Sequence, residues 1–128
     1  MGKIINKVAI ILSLCFLMIG CGPTYSESNE YIQYVKDSTY GTHKNMTCGE
    51  AFDNFFENPK WRFFYSDTNE NVVEFTGKCL YDNVEVEVLM QITVDMEAGK
   101  RSVNYLSFND VPQNQLMIDA LMEAVYRE

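Results

Sequence analysis

The sequence predicts an α+β domain of two layers: a four-stranded antiparallel meander with a helix before it and a helix after it, packed on one face. Three observations carry this. Val84, Val86, Val88, Met90, Ile92, Val94 and Met96 take every even position, and Glu85, Glu87, Gln91, Thr93 and Asp95 take odd ones, with Leu89 the exception. That two-residue period belongs to a strand with one buried face. Thr47-Cys48-Gly49-Glu50 fits a capping box at the head of an apolar stripe, Ala51, Phe52, Phe55 and Phe56. Leu116, Ile118, Leu121, Met122 and Val125 form a second stripe at helical spacing near the end of the chain.

The elements follow in order. Asn29 to Asp37 reads as a two-turn helix, with Ile32 and Val35 three apart and Tyr31 and Tyr34 likewise. Ser38 to Met46 is a loop containing Gly41. A helix over 48–57 is ended by Asn58-Pro59, because proline disfavours helical backbone in the residue before it. Trp61 to Ser66 is an aromatic strand, and Asp67 to Asn71 a polar turn. A second strand runs from Val72 to Tyr81 and reverses at Asp82-Asn83. The long strand turns at Glu97 to Lys100 into a fourth, Arg101 to Asn109. Pro112 stands where a first helical turn tolerates it, and the last helix follows. Strands joined by short turns pair as neighbours, which gives the meander.

A chain of 128 residues allows one domain. At 47% hydrophobic and 13% aromatic residues it is not intrinsically disordered. Its net charge of −8 argues against nucleic acid or an anionic lipid surface as the main partner, since both need a basic footprint. A single histidine excludes a multi-histidine metal site.

Residues 1–20 read as an address. Lys3 and Lys7 form a positive start, and Val8 to Ile19 is a short apolar run, too short for a bilayer core of about 20 residues. This is the pattern of a secretory signal. Met18-Ile19-Gly20-Cys21 resembles the lipobox of bacterial lipoproteins, although Met18 departs from the usual leucine. The resemblance implies cleavage before Cys21 and attachment of palmitate-type acyl chains to the Cys21 thiol. It thus implies a membrane-anchored protein of the bacterial cell envelope, facing away from the cytoplasm. Removing residues 1–20 leaves eight basic and eighteen acidic residues in 108, a net charge of −10. Gly22 to Ser28 has turn formers and polar residues without periodicity, so residues 21–30 are expected to be the lipidated N-terminus and a flexible spacer. The single domain then covers 31–128. Thr47-Cys48-Gly49-Glu50-Ala51-Phe52, Pro59-Lys60-Trp61 and Val73-Glu74-Phe75-Thr76-Gly77 are similar to a class of small bacterial surface domains. This likeness implies an envelope-exposed accessory domain and carries no catalytic residues.

Cys48 and Cys79 remain once the signal is removed and Cys21 acylated. An exported compartment permits a disulfide between them, closing a 32-residue loop worth roughly 3–4 kcal/mol. The alternative is two cysteines acting as small hydrophobes. His43 lies in a loop with no nucleophile elbow in the chain, and two cysteines with one distant histidine make no zinc site. No phosphate loop, dinucleotide fingerprint or calcium loop is present, so no cofactor is expected. The better lead is the outer face of the sheet, where Glu74, Thr76, Glu85, Glu87, Leu89 and Gln91 mix acids with apolar groups. Val72, Leu80 and Thr93 should share it. Three functions are weighed: a non-enzymatic domain binding a protein or envelope component, an inhibitor or immunity-type lipoprotein presenting acids, and, least favoured, an envelope enzyme.

Overall fold

The long alternation is one strand at the centre of the sheet. The computed structural model describes residues 25–127. Its strands are β1 (Glu57–Tyr65), β2 (Asn71–Tyr81), β3 (Val84–Asp95), β4 (Lys100–Phe108) and β5 (Val111–Pro112). They pair antiparallel in sequence order, so the four-stranded meander is present with a short fifth strand added at its edge. The described helices are α1 (Glu30–Asp37), α2 (Cys48–Phe55) and α3 (Gln115–Tyr126). The signal segment and Cys21 lie outside the described residues.

Local chemistry sets the helix starts. Asn29 accepts from the Ile32 amide and caps α1. The Thr47–Glu50 capping box forms as expected at α2: Thr47 accepts from the Glu50 amide, and Glu50 accepts from the Thr47 amide. Asn114 caps α3 by accepting from Met117.

Two prolines were expected to mark helix ends, and both lie in strands instead. α2 stops at Phe55 with Phe56 as its C-cap, and β1 starts at Glu57, before Pro59. The register shifts between Glu57 and Lys60, and Asn58 takes a left-handed φ of 55°. Pro112 belongs to β5, and α3 begins three residues later. Both strands are sheet edges, where the missing amide need not serve a ladder.

The even residues of β3 point to the helices, as the period requires. Val86, Val88, Met90, Ile92 and Val94 join Val73, Phe75, Leu106 and Phe108 in one buried core. Ile32 and Val35 of α1, Ala51 and Phe52 of α2, and Ile118, Leu121, Met122 and Val125 of α3 complete it. At its centre, the Phe75 ring lies 4.8 Å from each of Phe52, Phe56 and Trp61. Gly77, two residues on, leaves the room they need: a Cβ there would stand 2.9 Å from Phe75 Cζ and 3.0 Å from Phe56 Cβ.

Residues read as the end of the spacer dock on the sheet. Ser26 and Phe63 exchange both backbone hydrogen bonds, at 2.9 and 2.6 Å. Ser26 thus extends the sheet past β1, and Asn29 then caps α1.

Gly77→Ala should cost about 1–3 kcal/mol by overpacking against Phe75 and Phe56. Urea unfolding should show a lower midpoint with an unchanged slope.

Candidate binding face

Outward-pointing residues of the sheet do not form one exposed surface. Register places Arg62, Glu74, Gln91 and Tyr105 in a row across four strands. Arg62 Nε donates to Glu74 Oε1 at 2.6 Å, and Gln91 Nε2 donates to Glu74 Oε2 at 3.0 Å. The Arg62 guanidinium in turn lies 4.1 Å from the Tyr25 ring centroid, and Tyr25 meets Phe64 edge-on at 5.4 Å. Glu74 is only 4% exposed. It was expected on the binding face and is instead the buried, bonded centre of a cross-strand network. Val72, its neighbour on the same face, is buried as well. An acid-presenting surface of Glu74, Glu85 and Glu87 therefore reduces to the last two.

Beyond this network the face opens into a cleft of about 280 Å³. Three expected residues line it, Thr76, Glu87 and Leu89, together with Lys60, Lys78, Ser107 and Asp110. Lys60 faces Thr76, Lys78 faces Glu87, and Leu89 faces Ser107 across the strands. One wall is the β4–β5 turn, where Asn109 and Asp110 adopt φ of 50° and 69°. That turn is tied to β3, since the Glu87 amide donates to Asn109 Oδ1 and the Asn109 amide to the Glu87 carbonyl, both at 2.8 Å. The result is a half-apolar floor at Leu89 ringed by two cations and two anions. Such a ring gives register and orientation to a polypeptide of complementary charge. Gln91 belongs to the Glu74 network rather than to the cleft. Glu85 lies at the hairpin tip, beside Cys79, Leu80 and Phe55. Lys78 continues the outward alternation of Glu74 and Thr76, whereas Lys60 and Asp110 carry no periodicity that marks them, and the register brings the three together.

Cys48 and Cys79 are free thiols, so of the two readings left open, a bridge or two small hydrophobes, no disulfide is seen. Cys48 opens α2, while Cys79 shares a hollow with Phe55 at the other end of that helix. Eight helical residues span about 12 Å, well beyond disulfide reach. Burial pushes the Cys48 thiol up to about 11, against lesser opposing contributions from the Tyr126 hydroxyl and the Arg101 charge. It is therefore protonated at neutral pH and supplies no thiolate. Burial also raises the half-exposed Cys79.

His43 stacks 5.7 Å from Tyr126, and its Nε2 lies 3.6 Å from Glu123 Oε1. Tyr40 stacks on the same Tyr126 ring at 5.4 Å. Burial raises both tyrosines; nearby Asp119 and Glu123 add to the rise at Tyr40, and Cys48 adds to it at Tyr126. A second hollow of about 260 Å³ lies here on the helix side, between α3 and β4. Arg101 lines it and donates through Nη2 to the Thr39 carbonyl. These contacts hold the 38–46 loop against α3.

Among the described residues no three His, Cys, Asp or Glu groups gather as metal ligands, and no helix is long and apolar enough to cross a membrane. No family model matches the chain, and no curated protein or solved structure matches it.

Glu74→Ala should destabilise by about 1–3 kcal/mol, since it leaves Gln91 and Arg62 without their acceptor, while Glu85→Ala and Glu87→Ala should stay within about 0.5 kcal/mol. Chemical denaturation of the three variants checks this. Iodoacetamide at pH 8 should alkylate Cys79 in the native protein and Cys48 only after unfolding, as read by peptide mass. From pH 9 to about 11 the unfolded chain ionises the Cys48 thiol and the folded chain does not, so stability should fall across that window.

Proposed function

We propose that this chain is a lipid-anchored lipoprotein of the bacterial cell envelope whose domain is a non-enzymatic module that binds a protein partner through the outer face of its sheet. The anchor is the acyl group on Cys21, which the Met18-Ile19-Gly20-Cys21 resemblance implies. The binding reading is supported by one observation above the others. The cleft joins Leu89 to Lys60, Lys78, Glu87 and Asp110 on a face that no helix among the described residues covers. Mixed charge around an apolar floor suits a folded protein or peptide segment better than a uniformly charged polymer. The partner is met through side chains of β2 and β3 on a rigid sheet, so little ordering entropy is lost on binding.

Chemistry on the helix side gives the enzyme reading no comparable support. Cys48 is held as a thiol, and His43 is stacked on Tyr126 beside Glu123 rather than set against a nucleophile.

A photo-crosslinking residue at Leu89, introduced in the lipidated protein in cells, should give one discrete adduct. The same residue at Asp53, exposed on α2, should not. Equal adducts at both positions, or none at Leu89, would refute binding through the cleft.

A further inference from the structure

The docked N-terminal segment fixes which way the domain faces. Tyr25 packs on Arg62 and Phe64, Ser26 pairs with Phe63, and Asn29 caps α1, so the chain is held to the domain continuously from residue 25. Only residues 22–24 separate Tyr25 from Cys21. Four chain steps reach at most about 14 Å even when fully extended.

We infer that the Tyr25 end of β1 rests at the surface of the lipid bilayer, and that the β2–β3 hairpin tip and the outer-face cleft are directed away from it. The inference rests on the reading of Cys21 as the acylated residue. Asp67 and Glu70 of the β1–β2 turn lie at the same end, so the contact is with a bilayer of neutral headgroups rather than an anionic one. Tyr25 and Tyr65 are large exposed aromatics at this end of β1, and Arg62 lies over the Tyr25 ring. Tyrosine rings favour the membrane–water interface, where the ring is shielded and the hydroxyl stays wet. From Val72, which pairs with Phe64, β2 runs ten residues to Asp82 at the tip, roughly 33 Å. The cleft starts one strand pair beyond Arg62 and Glu74, at Lys60 and Thr76, and extends toward the far end through Lys78, Glu87 and Asp110, where it is within reach of a partner in the surrounding compartment.

The test uses the mature protein, isotopically labelled and reconstituted in nanodiscs that carry a paramagnetic headgroup lipid. Amide broadening at Tyr25, Ser26 and Arg62 to Tyr65 should exceed that at Asp82 and Asn83 by about tenfold or more, because the effect falls with the sixth power of a distance that differs by roughly 33 Å. Inserting twelve Gly/Ser residues between Gly22 and Pro23 should collapse that contrast. Intact mass of the same sample decides the anchor separately: a protein without acyl mass overturns both the anchor and the orientation. An acylated protein whose amides broaden uniformly, or first at the tip, overturns the orientation alone.

Discussion

The packing around Phe75 is the constraint from which the rest of the structure follows. Its ring meets Phe52 of α2, the Phe56 cap and Trp61 of β1 at one distance, 4.8 Å. Aromatic pairs of this kind contribute about 0.5–1.5 kcal/mol each beyond the area they bury. They also have preferred angles, so three of them fix the lie of α2 over β1 and β2 more narrowly than aliphatic packing would. Gly77 is part of the same device, since the space its missing side chain leaves is occupied by Phe56 and the end of Phe75. With α2 placed, α1 packs beside it over β1 and β2, and α3 closes the core over β4. Every described helix is thereby committed to one face.

The other face must then supply its own cover. It does so through pairs across strands rather than through a second layer. Glu74 is nearly as buried as the core, and its two carboxylate oxygens are satisfied separately by Arg62 and Gln91. A buried carboxylate with one partner would be costly, while one held between a cation and an amide is tolerable. Arg62 keeps nearly half of its side chain in solvent and spreads the rest over Tyr25. The N-terminal segment is thus part of the polar layer on this face, not a leash outside the fold. That layer covers the Tyr25 end of the sheet and stops short of Leu89, which is why the cleft opens where it does.

What the sequence made legible was what repeats or what acts locally. The even positions of β3 reported its buried face because one side of the sheet is dry. The Thr47–Glu50 box is complete within four residues, and it formed. The two prolines misled because a proline has two acceptable settings, a helix end and a sheet edge, and only strand pairing chooses between them. Glu74 misled for another reason: pointing away from the core differs from being exposed. Its partner could have been found by counting outward from the Asp67 to Asn71 turn, which sets Arg62 opposite it. Lys60, Lys78 and Asp110 lie in three different segments, and a bulge at Asn58 shifts the register of the first. No local pattern could bring them together.

The cleft carries both signs of charge although the chain as a whole is acidic. The chain has ten cations against eighteen acids. The cleft holds Lys60 and Lys78 with Glu87 and Asp110, a balanced set. Balance weakens long-range steering, which is strongest between partners of opposite net charge. For the binding role proposed above, encounter would be governed by the acidic body of the domain, and fit by the mixed charges and Leu89 at close range. A partner of net positive charge that carries both signs at its contact surface satisfies both requirements. A uniformly basic segment would be drawn in and then meet the two lysines, which separates attraction from recognition within one small site.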